Sequence, residues 1–143
     1  MREIDLTVVH CTATNPSWYA DKSADDVVKE IRRWHVEERK WSDIGYHYVV
    51  HRDGVVALGR PIERSGAHTR GFNKNSVGIA LVGGRGGCMD DDPLDHFTEN
   101  QMTSLRKLIG QLTDEHPITK VAGHNSFAKK ACPCFDVKEW YNA

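Results

Sequence analysis

Three short apolar segments rich in β-branched residues alternate with two amphipathic segments, and this alternation most constrains the fold. The apolar segments are IDLTVVH at 4–10, NSVGIALVGG at 75–84 and ITKVAGH at 118–124. Apolar runs of this length, bounded by turn residues, are typical of buried strands. Helices between strands pack on the faces of the sheet that the strands form. The sequence therefore predicts an α/β (mixed α+β) fold with a central mixed β-sheet flanked by helices.

Capping patterns predict where the two helices begin. Ser23 opens a capping-box pattern before an amphipathic segment, so a helix is predicted over residues 24–39. Thr98 with Gln101 predicts the start of a second helix, which should end at His116. The predicted buried stripe of this second helix is Met102, Leu105, Leu108, Ile109 and Leu112.

A β-hairpin is predicted in GYHYVVHRDGVVALGR, because apolar and polar residues alternate on both sides of an Asp-Gly turn at 53–54. Side chains alternate between the two faces of a strand. We therefore expect Tyr46 and Tyr48 on one face of the hairpin and His47 on the other.

The length and net charge of the chain limit the classes of protein to which it can belong. The 143 residues fit one domain, 1–143, and the net charge of −1 argues against a nucleic-acid partner, since such proteins carry a basic excess. No stretch approaches the roughly 20 apolar residues of a membrane span, and charges occupy the place of a signal-peptide core. We expect a cytoplasmic monomer without membrane insertion.

Four cysteines in a cytoplasmic chain are expected to be reduced, metal-bound or catalytic rather than paired. A disulfide between Cys132 and Cys134 would also close a very small, strained ring. Cys11 should face the core, on the opposite side of its strand from His10.

Two histidines and one cysteine are candidates for a metal site. His10 and His124 each close a predicted strand, and Cys132 lies in the following loop. If these strands are neighbours, both imidazoles reach one edge of the sheet, where the thiolate can join them. Two imidazoles and a thiolate leave the fourth position of zinc open, which is typical of a catalytic site. The spacing alone is not specific, and the alternative is a pair of strand-end histidines hydrogen-bonded to backbone.

Tyr46 and Lys130 are candidate catalytic residues. Lys130 lies two residues before Cys132, so its ammonium would be within reach of a metal there. The phenol of Tyr46 could donate to a developing oxyanion. The alternatives are an aromatic side chain in the core and a solvated surface lysine.

Four motifs together carry a family resemblance. They are VVHCTAT (8–14), GYHYVVHRDG (45–54), GAHTRGFNKNSVGIALVGG (66–84) and GHNSFAKKACPCFD (123–136). In this order they resemble the motifs of zinc-dependent N-acetylmuramoyl-L-alanine amidases of type 2, a superfamily that includes phage endolysins and peptidoglycan recognition proteins. The likeness extends from about residue 4 to residue 141.

The resemblance implies a role for each matching residue. It makes His10, His124 and Cys132 the ligands of one Zn²⁺ in a cleft at one edge of the sheet. It makes Tyr46 and Lys130 catalytic, while the carrier of the reaction's proton stays open.

Three further positions follow from the same resemblance. His68 and Asn75 fall in a stretch that borders the substrate cleft in relatives, which implies substrate-binding residues. Cys134 stands where phage relatives commonly have a small polar residue, so no role is implied for it.

The implied substrate is bacterial peptidoglycan or a muropeptide, cleaved at the amide between N-acetylmuramic acid and L-alanine. The implied role is a bacteriolytic phage or prophage endolysin that reaches the wall from the host cytoplasm with help from another protein. A phage relative is regulated by RNA polymerase through residues before its first strand. Only residues 1–3 stand there in this chain, so that partner is not expected.

Four alternatives stay open from the sequence. They are a non-catalytic peptidoglycan-binding module, a structural zinc domain with Cys134 or another group as fourth ligand, an interaction protein with a residual zinc site, and a cytoplasmic amidase that recycles muropeptides. Binding modules of the superfamily lack the metal-binding cysteine, so the presence of Cys132 favours an enzyme.

Overall fold

A five-stranded β-sheet lies at the centre of the fold. The computed structural model describes residues 2–143; Met1, part of the predicted domain and of the short segment before the first strand, lies outside the described residues. Within residues 2–143, five strands form one sheet: β1 (Leu6–Cys11), β2 (Tyr48–Val50), β3 (Val56–Leu58), β4 (Ser76–Leu81) and β5 (Lys120–Gly123). Three α-helices accompany the sheet: α1 (Ala24–Arg33), α2 (Glu99–Glu115) and α3 (Val137–Asn142).

The strand order is β3-β2-β4-β1-β5, and the sheet is mixed as predicted. Strand β1 pairs in parallel with both β4 and β5, β2 is parallel to β4, and β3 is antiparallel to β2. The carboxyl ends of β1 and β5 therefore meet at the same edge of the sheet. Crevices outside the carboxyl ends of parallel strands are common ligand sites.

The helices cover the two faces of the sheet with separate apolar clusters. Helix α1 packs Val27, Val28 and Ile31 against one face. On the other face, α2 buries its whole predicted stripe, Met102, Leu105, Leu108, Ile109 and Leu112. The predicted caps are also present: Ser23 accepts from the Asp26 N–H at 3.1 Å, and Thr98 forms a capping box with Gln101.

The first helix differs from its predicted end at residue 39. Helix α1 stops at Arg33, and the chain continues as one π-helical turn, Trp34–Glu38. His35 in this turn is buried, and its Nδ1 accepts from the Gly45 N–H at 2.9 Å. Hydrophobic periodicity does not distinguish a single π turn from the α-helix that it extends.

The expectation that Tyr46 and Tyr48 share a face of the sheet is wrong. Tyr48 packs with the α2 cluster, whereas Tyr46 packs with the α1 cluster. Strand β2 begins only at Tyr48, so Tyr46 lies in irregular chain where the two-residue alternation does not apply. Tyr46 consequently reaches the same side as His10.

None of the helices found in residues 2–143 has both the length and the apolar character that crossing a bilayer requires.

Candidate metal centre

Two strand ends and one loop bring three metal-ligating side chains together. His10 is the second-last residue of β1, and His124 follows directly after β5. Because β1 and β5 are parallel neighbours, the two imidazole rings lie 4.6 Å apart between centroids. Cys132 joins them from the loop that leads to α3. One ligand atom from each of these three residues lies within 4.8 Å of the others.

The donor set fits zinc. Zn–N distances near 2.1 Å and Zn–S distances near 2.3 Å separate the ligand atoms of a tetrahedral site by about 3.5 Å. The Cys132 Sγ lies 3.9 Å from His10 Nδ1, close to that separation. Three protein ligands leave one position for water or substrate, as in catalytic zinc sites.

The electrostatics around the three side chains favour the protonation states that a metal needs. Burial, followed by the neighbouring His68 and His124, holds the pKa of His10 well below its usual value, so the ring is neutral. Hydrogen bonding from Cys11 is the largest cause that lowers the pKa of the Cys132 thiol. The Cys11 N–H donates to the Cys132 Sγ at 3.2 Å. Neutral imidazoles and a thiolate are the forms that bind zinc.

Tyr46 and Lys130 flank the three side chains. The Tyr46 ring lies 5.2 Å from the His10 ring between centroids, and burial raises the pKa of its phenol, so it stays protonated. Lys130 is exposed, and after burial its positive charge is the next cause that lowers the pKa of His124. The metal-ligating group therefore has a partly buried hydrogen-bond donor and an exposed cation in its neighbourhood.

Asn125 was not predicted as a site residue, yet it holds the Cys132 loop in place. Its backbone N–H donates to the Cys132 carbonyl at 2.8 Å. Its side-chain Nδ2 donates to the carbonyls of Phe135 at 3.0 Å and Ala131 at 3.3 Å. Because Asn125 directly follows His124, one residue ties the second ligand to the third.

The sequence and the fold both match those of known amidases. The family model for N-acetylmuramoyl-L-alanine amidase matches residues 1–135. The endolysin of Escherichia phage T7 is 42% identical over 138 residues, which cover 96% of this chain and 85% of the phage protein. The chain belongs to the N-acetylmuramoyl-L-alanine amidase family. The family, the fold class and the amidase activity predicted from the motifs are thereby confirmed.

Solved structures of relatives agree with this assignment. The N-acetylmuramoyl-L-alanine amidase LysC from Clostridium intestinale superposes with a TM-score of 0.74 at 29% identity, covering 94% of this chain and 80% of that chain. Peptidoglycan recognition protein-LE, solved in complex with tracheal cytotoxin, a monomeric diaminopimelic acid-type peptidoglycan, superposes with a TM-score of 0.76 at 26% identity. It covers 98% of this chain and 79% of that chain.

The two residues predicted to bind substrate occupy different surroundings in this amidase. His68 is only 8% exposed and lies against His10, with its Nδ1 2.9 Å from His10 Nε2. Asn75 precedes β4, at the amino-terminal end of the parallel strands, and its amide donates to the Asp5 carboxylate at 2.8 Å. Substrate contact by either residue stays a prediction.

Cys134 does not join the metal-ligating group found in residues 2–143. Its side chain is buried, and its Sγ donates to the Gly84 carbonyl at 3.1 Å. All four cysteines are free thiols, as expected, and Cys11 packs in the core on the α2 face. The arrangement gives no support to a closed four-ligand zinc site.

Proposed function

We propose that this amidase is a zinc-dependent endolysin that cleaves peptidoglycan between N-acetylmuramic acid and L-alanine. The observation that carries the proposal is the three-ligand group of His10, His124 and Cys132 beside Tyr46 and Lys130. A donor set with an open fourth position, next to two hydrogen-bond donors, suits amide hydrolysis.

The three ligands would hold the metal, and bound zinc would lower the pKa of a coordinated water and polarise the substrate carbonyl. Tyr46 is partly buried, and the raised pKa of its phenol keeps it protonated, so its hydroxyl can donate to the oxygen of the tetrahedral intermediate. A well-placed donor of this kind contributes roughly 3–4 kcal/mol to transition-state stabilisation.

We propose that Lys130 donates a proton to the leaving amine. Its exposure lets the ammonium exchange protons with bulk water after each turnover. Its charge also lowers the pKa of all three ligand side chains, which supports a position next to the proposed reacting centre. The same ammonium can stabilise the oxyanion before the proton moves.

The proposed substrate is the peptidoglycan of the cell wall, and the proposed setting is phage-induced lysis. Support comes from relatives named endolysin in phages T7 and T3, at 42% identity each. In this setting the enzyme would act from the host cytoplasm and depend on another protein to reach the wall.

Digestion of purified cell-wall sacculi, with and without a chelator, tests the proposal. The enzyme should release soluble fragments with new N-terminal L-alanine and no new reducing sugar. Chelation should stop the release, and added zinc should restore it. New reducing ends would instead indicate a glycosidase, and cleavage of soluble muropeptides without attack on sacculi would indicate a recycling amidase. Either result contradicts the endolysin assignment.

A further inference from the structure

The buried imidazole of His68 contacts His10, the metal-ligating histidine of β1. His68 Nδ1 lies 2.9 Å from His10 Nε2, and Thr69 Oγ1 lies within hydrogen-bond distance of both atoms, at 2.9 Å and 3.2 Å. Resting on the proposed zinc function, we infer that His68 is a positioning residue that fixes His10 in its metal-binding orientation and tautomer. His68 would then act through His10 and not through contact with substrate.

The ring nitrogens of His10 face two different partners. Its Nδ1 points to the Cys132 Sγ at 3.9 Å, so this is the nitrogen that offers a lone pair to a metal. A neutral imidazole carries one proton, which must then be on Nε2. The Nε2–H can donate to His68 Nδ1 directly or through Thr69 Oγ1. Both routes require an unprotonated Nδ1 on His68.

Ser76 can accept a hydrogen bond from that tautomer of His68. The opposite ring nitrogen, His68 Nε2, lies 3.1 Å from Ser76 Oγ, and both side chains are buried. With its proton on Nε2, His68 donates to the serine hydroxyl and leaves Nδ1 free to accept. A ligating histidine usually donates its second N–H to a partner that fixes its tautomer. Here the partner is itself an imidazole, held by a serine on β4.

Gly78 has no side chain, and this leaves room for the His68 ring against β4. A Cβ atom placed on Gly78 would lie 2.6 Å from two atoms of this ring, much closer than van der Waals contact allows. A glycine inside a buried strand often marks a close approach by another group. The sequence SVGIAL therefore supplies both the serine that orients His68 and the gap into which its ring fits.

Zinc affinity of the purified chain, measured by competition with a chromophoric chelator, tests the role of His68. His68→Leu removes the acceptor and should weaken zinc binding about 10- to 100-fold. His68→Asn carries an amide oxygen near the position of Nδ1 and should bind zinc within about threefold of wild type. Ser76→Ala, a smaller change, should weaken binding about tenfold, and it keeps the test decisive if His68→Leu does not fold.

His47 provides the matched control. It is a buried histidine whose ring lies 5.7 Å from the His68 ring, but its hydrogen bonds go to the Gly78 N–H, the Arg64 carbonyl and the Arg2 guanidinium instead of to a metal ligand. His47→Leu should lower the melting temperature of the metal-free chain and leave zinc affinity within about threefold of wild type. A purely structural role for His68 would instead make the two leucine variants lose zinc affinity equally.

Nitrogen NMR of the imidazoles gives a readout that is independent of activity. In the zinc-loaded wild type, His10 should carry its proton on Nε2, and this proton should be protected from exchange. His68→Leu should abolish that protection. Wild-type zinc affinity in His68→Leu, or equal losses in the His68→Leu and His47→Leu variants, overturns the inference. Failure of the wild-type chain to bind zinc would overturn the proposed function instead.

Discussion

The two halves of the metal site are built in different ways. One half is His10, which lies on β1 in the sheet interior, is 1% exposed, and contacts a second buried imidazole. The other half is the loop of residues 124–134, which carries half-buried His124 and Cys132 and exposed Lys130. The first half is fixed by packing in the sheet, whereas the second is held by hydrogen bonds, among them those of Asn125.

This difference assigns different tasks to the two halves. A ligand that is fixed by a buried sheet provides a reference position, because interior packing allows little displacement. A loop ligand can adjust as substrate enters, and the exposed ammonium beside it can exchange protons with solvent. We therefore expect both halves to contribute to metal affinity, and the loop half to affect turnover as well, through Lys130.

Cys132→Ser should produce the largest loss, because a neutral hydroxyl replaces the only thiolate in the metal-ligating group of the described chain. Zinc content and activity should fall together to background, as measured by metal analysis and by sacculus digestion. Cys134→Ser is the matched control, since this thiol donates to the Gly84 carbonyl and lies outside that group. Retention of both zinc and activity in Cys132→Ser would contradict the assignment of this ligand.

Lys130→Ala should separate metal binding from catalysis. The variant should keep its zinc, because no ligand is removed, while the turnover rate falls about a hundredfold or more through the loss of transition-state stabilisation. Lys129→Ala removes a neighbouring exposed charge and should stay within about twofold of wild type. If the Lys130 variant digested sacculi at the wild-type rate, the lysine would have no catalytic role.

Asn125→Ala should loosen the loop half without removing a ligand. Its side-chain amide bridges two carbonyls of the segment around Cys132, and each lost hydrogen bond costs about 0.5–1.5 kcal/mol. We expect a lower melting temperature and zinc binding weakened about tenfold. Ser126→Ala, in the same turn but exposed, should change neither quantity. Equal behaviour of the two variants would mean that the loop does not depend on Asn125.

The sequence predicted the parts of the molecule that follow local rules. Helix α2 was predicted from its cap and its apolar stripe. Strands β1 and β5 were predicted from short apolar runs that end near His10 and His124. The predicted face of Tyr46 was wrong because the alternation of a strand was extended into the irregular chain before β2. The contact between His10 and His68 joins residues 58 positions apart, and no local pattern encodes such a pair.

Acid should destabilise the metal-free chain through its buried imidazoles, of which His47 is one. Burial lowers the pKa of His47 to about 4, against a usual value of 6.5, so the folded chain keeps this ring neutral where the unfolded chain protonates it. The unfolded state then binds more protons between these two values, and stability falls as the pH drops below about 6.5. Between pH 7 and pH 5, one such imidazole should cost roughly 2 kcal/mol of unfolding free energy. Urea unfolding at both pH values measures the loss.

His47→Gln tests whether the His47 imidazole contributes to the loss of unfolding free energy between pH 7 and pH 5. Glutamine does not titrate, so the variant should lose less stability than wild type between the two pH values, whatever its stability at pH 7. An unaltered pH dependence in His47→Gln would mean that this ring does not resist protonation in the folded chain. The acid sensitivity would then come from other buried imidazoles, such as His35 and His68, because burial lowers their pKa values to about 4 and about 3.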